Sequence, residues 1–327
     1  MSFGVLSVLE QLKHTDAWLN DPRGVLPSGF AELDSLLFRG GYGPGTLCIL
    51  GGRMHTRKTT VVLNMISRWL KANRTVLLVG LDETNPSYTL KLMSAMYNVP
   101  HERIAEEWND RLGSDLRERY AENAQLFVET HGFRPDTDML DAALEEAGSV
   151  SGRKPDVVVV DYLTQMKKGQ YGSAYQKTMD LVENIKTWTN ENEVVTLALA
   201  QVGRDGGAGG ITSNEGHIPL AATDIRQGGE EDADIVFGTY RPALDPIGNL
   251  PFDEALELMP EGWKDDKKLS YYQKCSDRVA QYQNATFLQL LKNRPGTKLD
   301  KKGMVLVSQG EAMKMVTPLE KSRRDDA

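Results

Sequence analysis

The chemistry of this chain is most openly written in ten residues, GGRMHTRKTT at positions 51–60, which follow the apolar run TLCIL. A Gly-x-x-x-x-Gly-Lys-Ser/Thr frame holds nucleotide phosphates because its glycines let backbone N–H groups curl around them at the start of the next helix. Gly52, Arg57, Lys58 and Thr59 fill that frame, with an arginine at the second glycine position. Lys58 would reach the β- and γ-phosphates and Thr59 would bind Mg²⁺, while Gly52, Arg53, Arg57 and Thr60 complete the candidate phosphate contacts. Arg57 must adopt a tight turn that favours glycine, under strain, or else re-route it. Its side chain then either points outward or adds charge near the phosphates.

Carboxylates and amides at other strand ends extend this chemistry. The run DVVVVDYL lies about a hundred residues on, and Asp161 ends its apolar stretch. A strand-end carboxylate there binds Mg²⁺ through water, although such an aspartate can also merely cap a turn. Asp82 and Glu83 follow the apolar TVLLVGL. One of them can orient and deprotonate an attacking water, or serve as an acid in the cap region of the helix before Pro86. Gln201 ends a buried strand, where a polar side chain needs a partner. Lys292 and Arg294, spaced i, i+2 on an extended segment, project the same way; they are either one phosphate's cations or solvated strand-end charges.

These residues need elements to hold them. TLCIL, TVLLVGL, AQLFVET, DVVVVDYL and VVTLALAQV are short, near-continuous Val/Leu runs, which predict strands buried on both faces of a parallel sheet with crossover helices. KTTVVLNMISRWLKAN has helical periodicity, and ADIVFGTY, ATFLQLLKN and GMVLVS predict three further strands. Val5, Val8, Leu9, Leu12 and Leu19 predict a short amphipathic helix in residues 1–22, set apart by DPRGVLPSG and packing on its own core or on a neighbouring subunit. The nucleotide domain is expected over 23–310, with 242–284 as a polar and aromatic insertion and 311–327 as a charged, disordered tail.

Composition narrows the function further. The 327 residues carry 38 Lys and Arg against 46 Asp and Glu, a net charge of −8, so any nucleic-acid contact needs a local basic surface. Cys48 and Cys275 have no metal-ligand spacing, which argues against a disulfide or zinc scaffold and fits a reducing cytoplasm. No apolar run has the length of a membrane span. His55 and His217 have no sequence neighbours that would make a metal set.

Seven segments in order resemble the ATPase domain of DnaB-type replicative DNA helicases, an α/β RecA-like fold. They are LPSGFAELDSLL, GRMHTRKTTVVLN, GLDETNPSYTLKLM, VVVVDYLTQM, ALAQV followed by Arg204, TDIRQGGEEDADIVFGTYR and LLKNRPG. RecA and RadA-like recombinases share the phosphate loop but fit the DYL and DIR segments less well. The resemblance implies an ATP- and Mg²⁺-dependent motor on single-stranded DNA, assembled as a homo-oligomer in a hexameric ring, with a helicase loader or primase as further partner. It implies that Gln201 senses the γ-phosphate, and that Arg226, Gln227 and Gly229 hold successive DNA phosphates. Lys167 and Lys168, with Lys177, form a second channel loop or a solvated lysine face. It also implies that a neighbouring subunit supplies Lys292 and Arg294 to the γ-phosphate.

Three features depart from that pattern. The helical N-terminal domain by which many such helicases meet primase has no counterpart before residue 22, Arg57 replaces a glycine, and the family's catalytic glutamate falls on Asp82. The first and second point to a phage or mobile-element helicase. The readings from other classes are a recombinase or annealing ATPase that coats DNA, and a degenerate ATPase that acts as a loading partner.

Overall fold

The computed structural model describes the chain apart from residues 1–6, 22–23, 124, 130–134, 167–173, 203–215, 223, 226–230, 295, 297–302, 310, 319, 321 and 323–327. Its strands are β1 (Leu47–Gly52), β2 (Val76–Gly80), β3 (Leu126–Glu129), β4 (Val157–Asp161), β5 (Val195–Gln201), β6 (Ile235–Tyr240), β7 (Ala285–Asn293), β8 (Met304–Ser308) and β9 (Met315–Val316). They form one nine-stranded sheet in the order β3-β2-β4-β5-β1-β6-β7-β8-β9. The first six strands run parallel and the last three are added antiparallel. The fold is α/β with a mostly parallel sheet, as expected.

The helices are α1 (Val8–Leu19), α2 (Ala31–Asp34), α3 (Lys58–Lys71), α4 (Asn85–Tyr97), α5 (His101–Glu106), α6 (Arg111–Ala121), α7 (Thr137–Ser151), α8 (Ala174–Asn192), α9 (Pro246–Asn249), α10 (Phe252–Leu256) and α11 (Asp265–Gln281). The unalternating strand sequences are explained by burial on both sheet faces. Cys48, Leu50, Leu78 and Val159 enter one apolar cluster with Val62, Met65, Ile66 and Trp69 of α3. Their neighbours Leu47, Ile49, Leu77 and Val160 enter the other, beneath Leu140 and Leu144 of α7 and Ile185 and Trp188 of α8.

The N-terminal helix α1 opens with a capping box, Ser7 receiving the Glu10 N–H while Glu10 receives that of Ser7. None of its residues is buried; Val8, Leu9 and Leu12 are 72%, 63% and 61% exposed. Its end touches the body, where Trp18 stacks on Phe38 with ring centroids 6.2 Å apart. Between β6 and β7 the polar stretch forms a helical excursion, α9 to α11. Arg278 donates to the buried Asp245 at 2.7 Å, which also caps the Ile247 N–H.

The expected tail behaves differently over its first part. Met315, Val316 and Thr317 are fully buried, and β9 pairs with β8. The fully buried Asn64 of α3 is the reason: its Nδ2 donates to the Met313 carbonyl and its Oδ1 accepts the Met315 N–H, both at 2.8 Å. Arg68, one turn on, lies over the Phe30 ring and pairs with Glu320 at 2.9 Å. Residues 313–317 and Glu320 are thus fastened to the body, and a disordered tail is not what these residues form.

Replacing Asn64 with leucine would leave the Met315 N–H and the Met313 carbonyl without that partner while keeping the volume. At about 1–3 kcal/mol for each of the two stranded groups, Asn64→Leu is expected to cost roughly 2–6 kcal/mol. Urea unfolding of the two proteins checks it; an unchanged midpoint would show that Asn64 does not fasten the segment.

Candidate nucleotide-binding site

Strand β1 lies between β5 and β6, and the three strand ends arrive together. In register, Gly52 stands beside Gln201 on one side and Thr239 on the other. The loop then turns back on itself. Thr56 Oγ1 lies 2.8 Å from both the Arg53 carbonyl and Thr239 Oγ1. A Cβ on Gly52 would meet Thr239 Oγ1 at 2.2 Å and Thr56 Oγ1 at 2.6 Å, so only glycine permits this approach.

Arg57 caps α3 in the left-handed conformation, φ 63° and ψ 33°. The loop keeps the backbone path that a glycine would give, at a cost of about 1–2 kcal/mol for a residue with a Cβ. The arginine does not re-route the turn. Its guanidinium donates to Ser308 Oγ in β8. No side chain caps α3, which leaves its first-turn N–H groups to face an anion.

Lys58 folds its ammonium onto the Gly52 and Arg53 carbonyls at 2.9 and 3.0 Å. Burial lowers its pKa to about 8, against the pull of Asp161 and Asp82. Thr59 Oγ1 donates to Asp161 Oδ2 at 3.0 Å, and the Tyr88 hydroxyl donates to the same oxygen at 3.1 Å. Burial raises the Asp161 pKa to about 6, these two hydrogen bonds opposing the rise. Gly80 is required here too, since a Cβ would meet the Tyr88 ring at 2.3 Å. A buried carboxylate touching the loop threonine is a hard oxygen pair that suits Mg²⁺. Thr59 and Asp161 are the residues that would hold the ion, which when bound would offset phosphate charge.

The two acids after β2 separate. Glu83 is held by Ser87 and Lys91 of α4, one carboxylate oxygen each. Asp82 has no hydrogen bond or ion pair to a described residue; burial and the Glu83 charge raise its pKa. Asp82 is therefore the carboxylate left open to a water. A cavity of about 620 Å³ is lined by Met54 to Thr60, Asp82, Glu83, Lys91, Asp161, Tyr162, Gln201 and Arg241.

The other expected residues fall elsewhere. Arg53 turns its side chain away, donating to the Ile218 carbonyl at 3.2 Å with Asp224 at 3.9 Å. Only its backbone serves the loop, so a side-chain contact to a nucleotide is not supported there. Thr60 lies on the lining with its hydroxyl 3.7 Å from the Met313 sulfur. Lys292 and Arg294 do converge as their spacing predicts, both donating to the Glu231 carbonyl, at 2.8 and 2.6 Å. They stand at the opposite end of the sheet, because β7 is antiparallel to β6 and Asn293 pairs with Ile235. Four strand residues, or roughly 13 Å, separate that level from Gly52. Arg226, Gln227, Gly229, Lys167 and Lys168 lie outside the described residues. Among those described, no carboxylate, His and Cys groups cluster as a metal set, and no helix is long and apolar enough to cross a membrane. Arg241, Lys91 and Tyr162 were not anticipated; Arg241 follows a strand end just as Asp82 does.

The sequence matches the DnaB-like helicase C-terminal domain family over residues 25–261, and the chain belongs to that family. It is 25% identical over 224 residues to the replicative DNA helicase DnaB of Helicobacter pylori strain J99, and 24% identical over 229 residues to that of strain 26695. Each alignment takes in 66% of this chain, which spans less than half of either relative, 44% and 43%. Among solved structures it is similar to the ATPase domain of G40P, with a TM-score of 0.70 and 18% identity, covering 97% of this chain and 99% of that one. A DnaB-like replicative helicase described with its interactions with primase gives a TM-score of 0.68 at 17% identity, covering 95% and 68%. These likenesses make the fold RecA-like.

A phosphate needs Lys58 charged. Nucleotide affinity is therefore expected to fall as pH rises through about 8, where the empty site's ammonium loses its proton. Titration with a fluorescent ATP analogue across neutral to alkaline pH reads this. Lys58→Ala should abolish binding altogether; undiminished binding in that variant would mean the site is elsewhere.

Proposed function

We propose that this member of the DnaB-like family is the ATP- and Mg²⁺-driven motor of a replicative DNA helicase, moving on single-stranded DNA as a ring of identical subunits. The observation that supports this most is the division of its cations. Lys58, Thr59, Asp161, Asp82 and Gln201 meet at the strand ends, while Lys292 and Arg294 project together from the far end of the same sheet. Within one subunit the pair is out of reach of the cavity. A second copy, presenting that end to the first, would complete the site.

Charge then develops on the transferring phosphoryl oxygens between Lys58 and the neighbour's Lys292 and Arg294, a trans contribution worth about 10³–10⁵ in rate. Asp82 would orient the attacking water, and Gln201 would sense the γ-phosphate. The exposure of Val8, Leu9 and Leu12 on α1 supports packing on an adjacent subunit, since among the described residues none of the helix is buried. Arg226, Gln227 and Gly229, with Lys167 and Lys168, would supply the DNA contacts. The net charge of −8 restricts those contacts to local phosphate holds. A loader or primase partner, a cytoplasmic setting and a phage origin go with this reading.

Electron micrographs with a non-hydrolysable ATP analogue and an oligonucleotide should reveal closed rings, and strand displacement should require ATP. Filaments without strand displacement would favour a coating ATPase instead. Binding should be salt-sensitive and nearly blind to sequence. Arg226→Ala should weaken it on every single strand tried while sparing ATP affinity; tight, sequence-selective duplex binding would sink the reading.

The shared site has its own signature. Arg294→Ala should bind ATP nearly normally yet hydrolyse it poorly, and mixing it with Lys58→Ala should restore some turnover, because some boundaries then join an intact loop to an intact Arg294. A strictly monomeric, fully active ATPase would exclude the arrangement.

A further inference from the structure

The cavity holds two arginines that the phosphate-loop pattern does not require. Arg241 follows β6 directly; its Nη1 donates to the His55 carbonyl at 3.2 Å, and its Nε is buried without a partner. Arg57 comes from the loop and reaches Ser308. Both line the cavity, and neither pairs with a carboxylate among the described residues. They repel one another: burial, and then the Arg57 charge, lower the Arg241 pKa to about 10. Two partly buried guanidiniums of like charge lining one cavity are an unfavourable arrangement without a ligand, and a favourable one for a bound anion.

The sheet order says which part of an anion they meet. Acids enter the cavity from the ends of β2 and β4, on one side of β1, as Asp82, Glu83 and Asp161. The arginines gather on the other side, Arg241 from β6 and Arg57 turned toward β8. A phosphate chain lying across the β1 loop places its metal-bound, hydrolysable end at the acids. Its other end then lies at the arginines.

We propose that Arg57 and Arg241 form a two-guanidinium clamp on the α-phosphate end of the bound nucleotide, so that the residue replacing the loop glycine is itself a ligand contact. This rests on the reading that the Lys58 loop binds ATP. Guanidinium forks suit non-bridging phosphate oxygens, and the buried Arg241 Nε–H gains a partner in the complex that it lacks without one. Because the α-phosphate is common to ATP and ADP, the clamp holds both alike, unlike groups that see only the γ-phosphate.

The test uses the full chain with Arg57→Gln, Arg241→Gln and the double variant, titrated with ATP and with ADP, and melted without ligand. Each single variant is expected to weaken ATP and ADP by the same factor, about tenfold or more. The double variant should lose less than the product, since both side chains hold one group. The ligand-free melting temperature should stay level or rise as the repulsion is relieved. Unchanged affinities, or a loss confined to ATP, would overturn the clamp. So would a lower ligand-free melting temperature accompanying the affinity loss, which would make Arg241 a prop for the His55 carbonyl. If Lys58→Ala abolishes binding while the arginine variants bind like the parent, the clamp fails and the nucleotide site stands. If the parent binds neither ATP nor ADP, both fall.

Discussion

The parallel pairing of β1 between β5 and β6 is the constraint on which the rest depends. Backbone hydrogen bonds fix Gly52, Gln201 and Thr239 abreast, so three strands deliver a loop, a strand-end amide and a hydroxyl anchor to one level. The two apolar faces of the sheet hold that register, because a one-residue slip would exchange Cys48 and Leu50 with Leu47 and Ile49 between clusters. With the level fixed, α3 has to begin where β1 stops. Its uncapped N-terminus and the β4 carboxylate then meet at Thr59. The crevice beyond the carboxyl ends of a parallel sheet becomes a site because the backbone brings unlike side chains there, not because any one of them is unusual.

That arrangement is electrostatically costly when empty. Lys58 is held by two backbone carbonyls, Asp161 shares one oxygen between two hydroxyl donors, and Asp82 has a like charge beside it. Burial pushes the lysine pKa down and the Asp161 pKa up, both toward neutrality. A metal–nucleotide complex would reverse these tendencies together, since its phosphates need the ammonium and its cation needs the carboxylate. The linkage sign for Asp161 follows: a carboxyl whose folded pKa lies above its unfolded one stabilises the empty fold increasingly as pH falls through about 6. The ligand-free domain is thereby less stable near neutrality than its apolar core alone would make it, and a bound ligand would recover the difference.

Much of this was legible in the sequence for local reasons. The eight expected strands are runs of Val and Leu, and the phosphate loop and the strand-end Asp161 are contiguous patterns that need no knowledge of tertiary contacts. What escaped was decided by contacts between distant residues. That Glu83 is engaged while Asp82 stays open depended on Ser87 and Lys91, which reach Glu83 only once α4 has formed. Arg53 sits in the loop pattern, yet Ile218 and Asp224 draw its side chain away. The two-residue β9 has no periodicity to read, and it exists because Asn64, some 250 positions earlier, offers a carbonyl and an amide to its backbone. A buried asparagine in an otherwise apolar helix face was the available signal, since such a group needs partners.

Arg57 shows how a departure from a pattern is resolved physically. A glycine at that position would relieve the left-handed turn and leave the loop path intact, so the backbone gives no reason for an arginine. The reason has to lie in the side chain, which spans the cavity mouth to β8 instead of extending into solvent. The same turn that strains the residue also fixes where its guanidinium begins, next to Arg241 and on the side of β1 away from the acids. A cost of about 1–2 kcal/mol is of the size that one charge-assisted contact to a phosphate, about 1.5–3 kcal/mol, would offset. The substitution is thus coherent with a site that binds, and incoherent with one that has merely decayed.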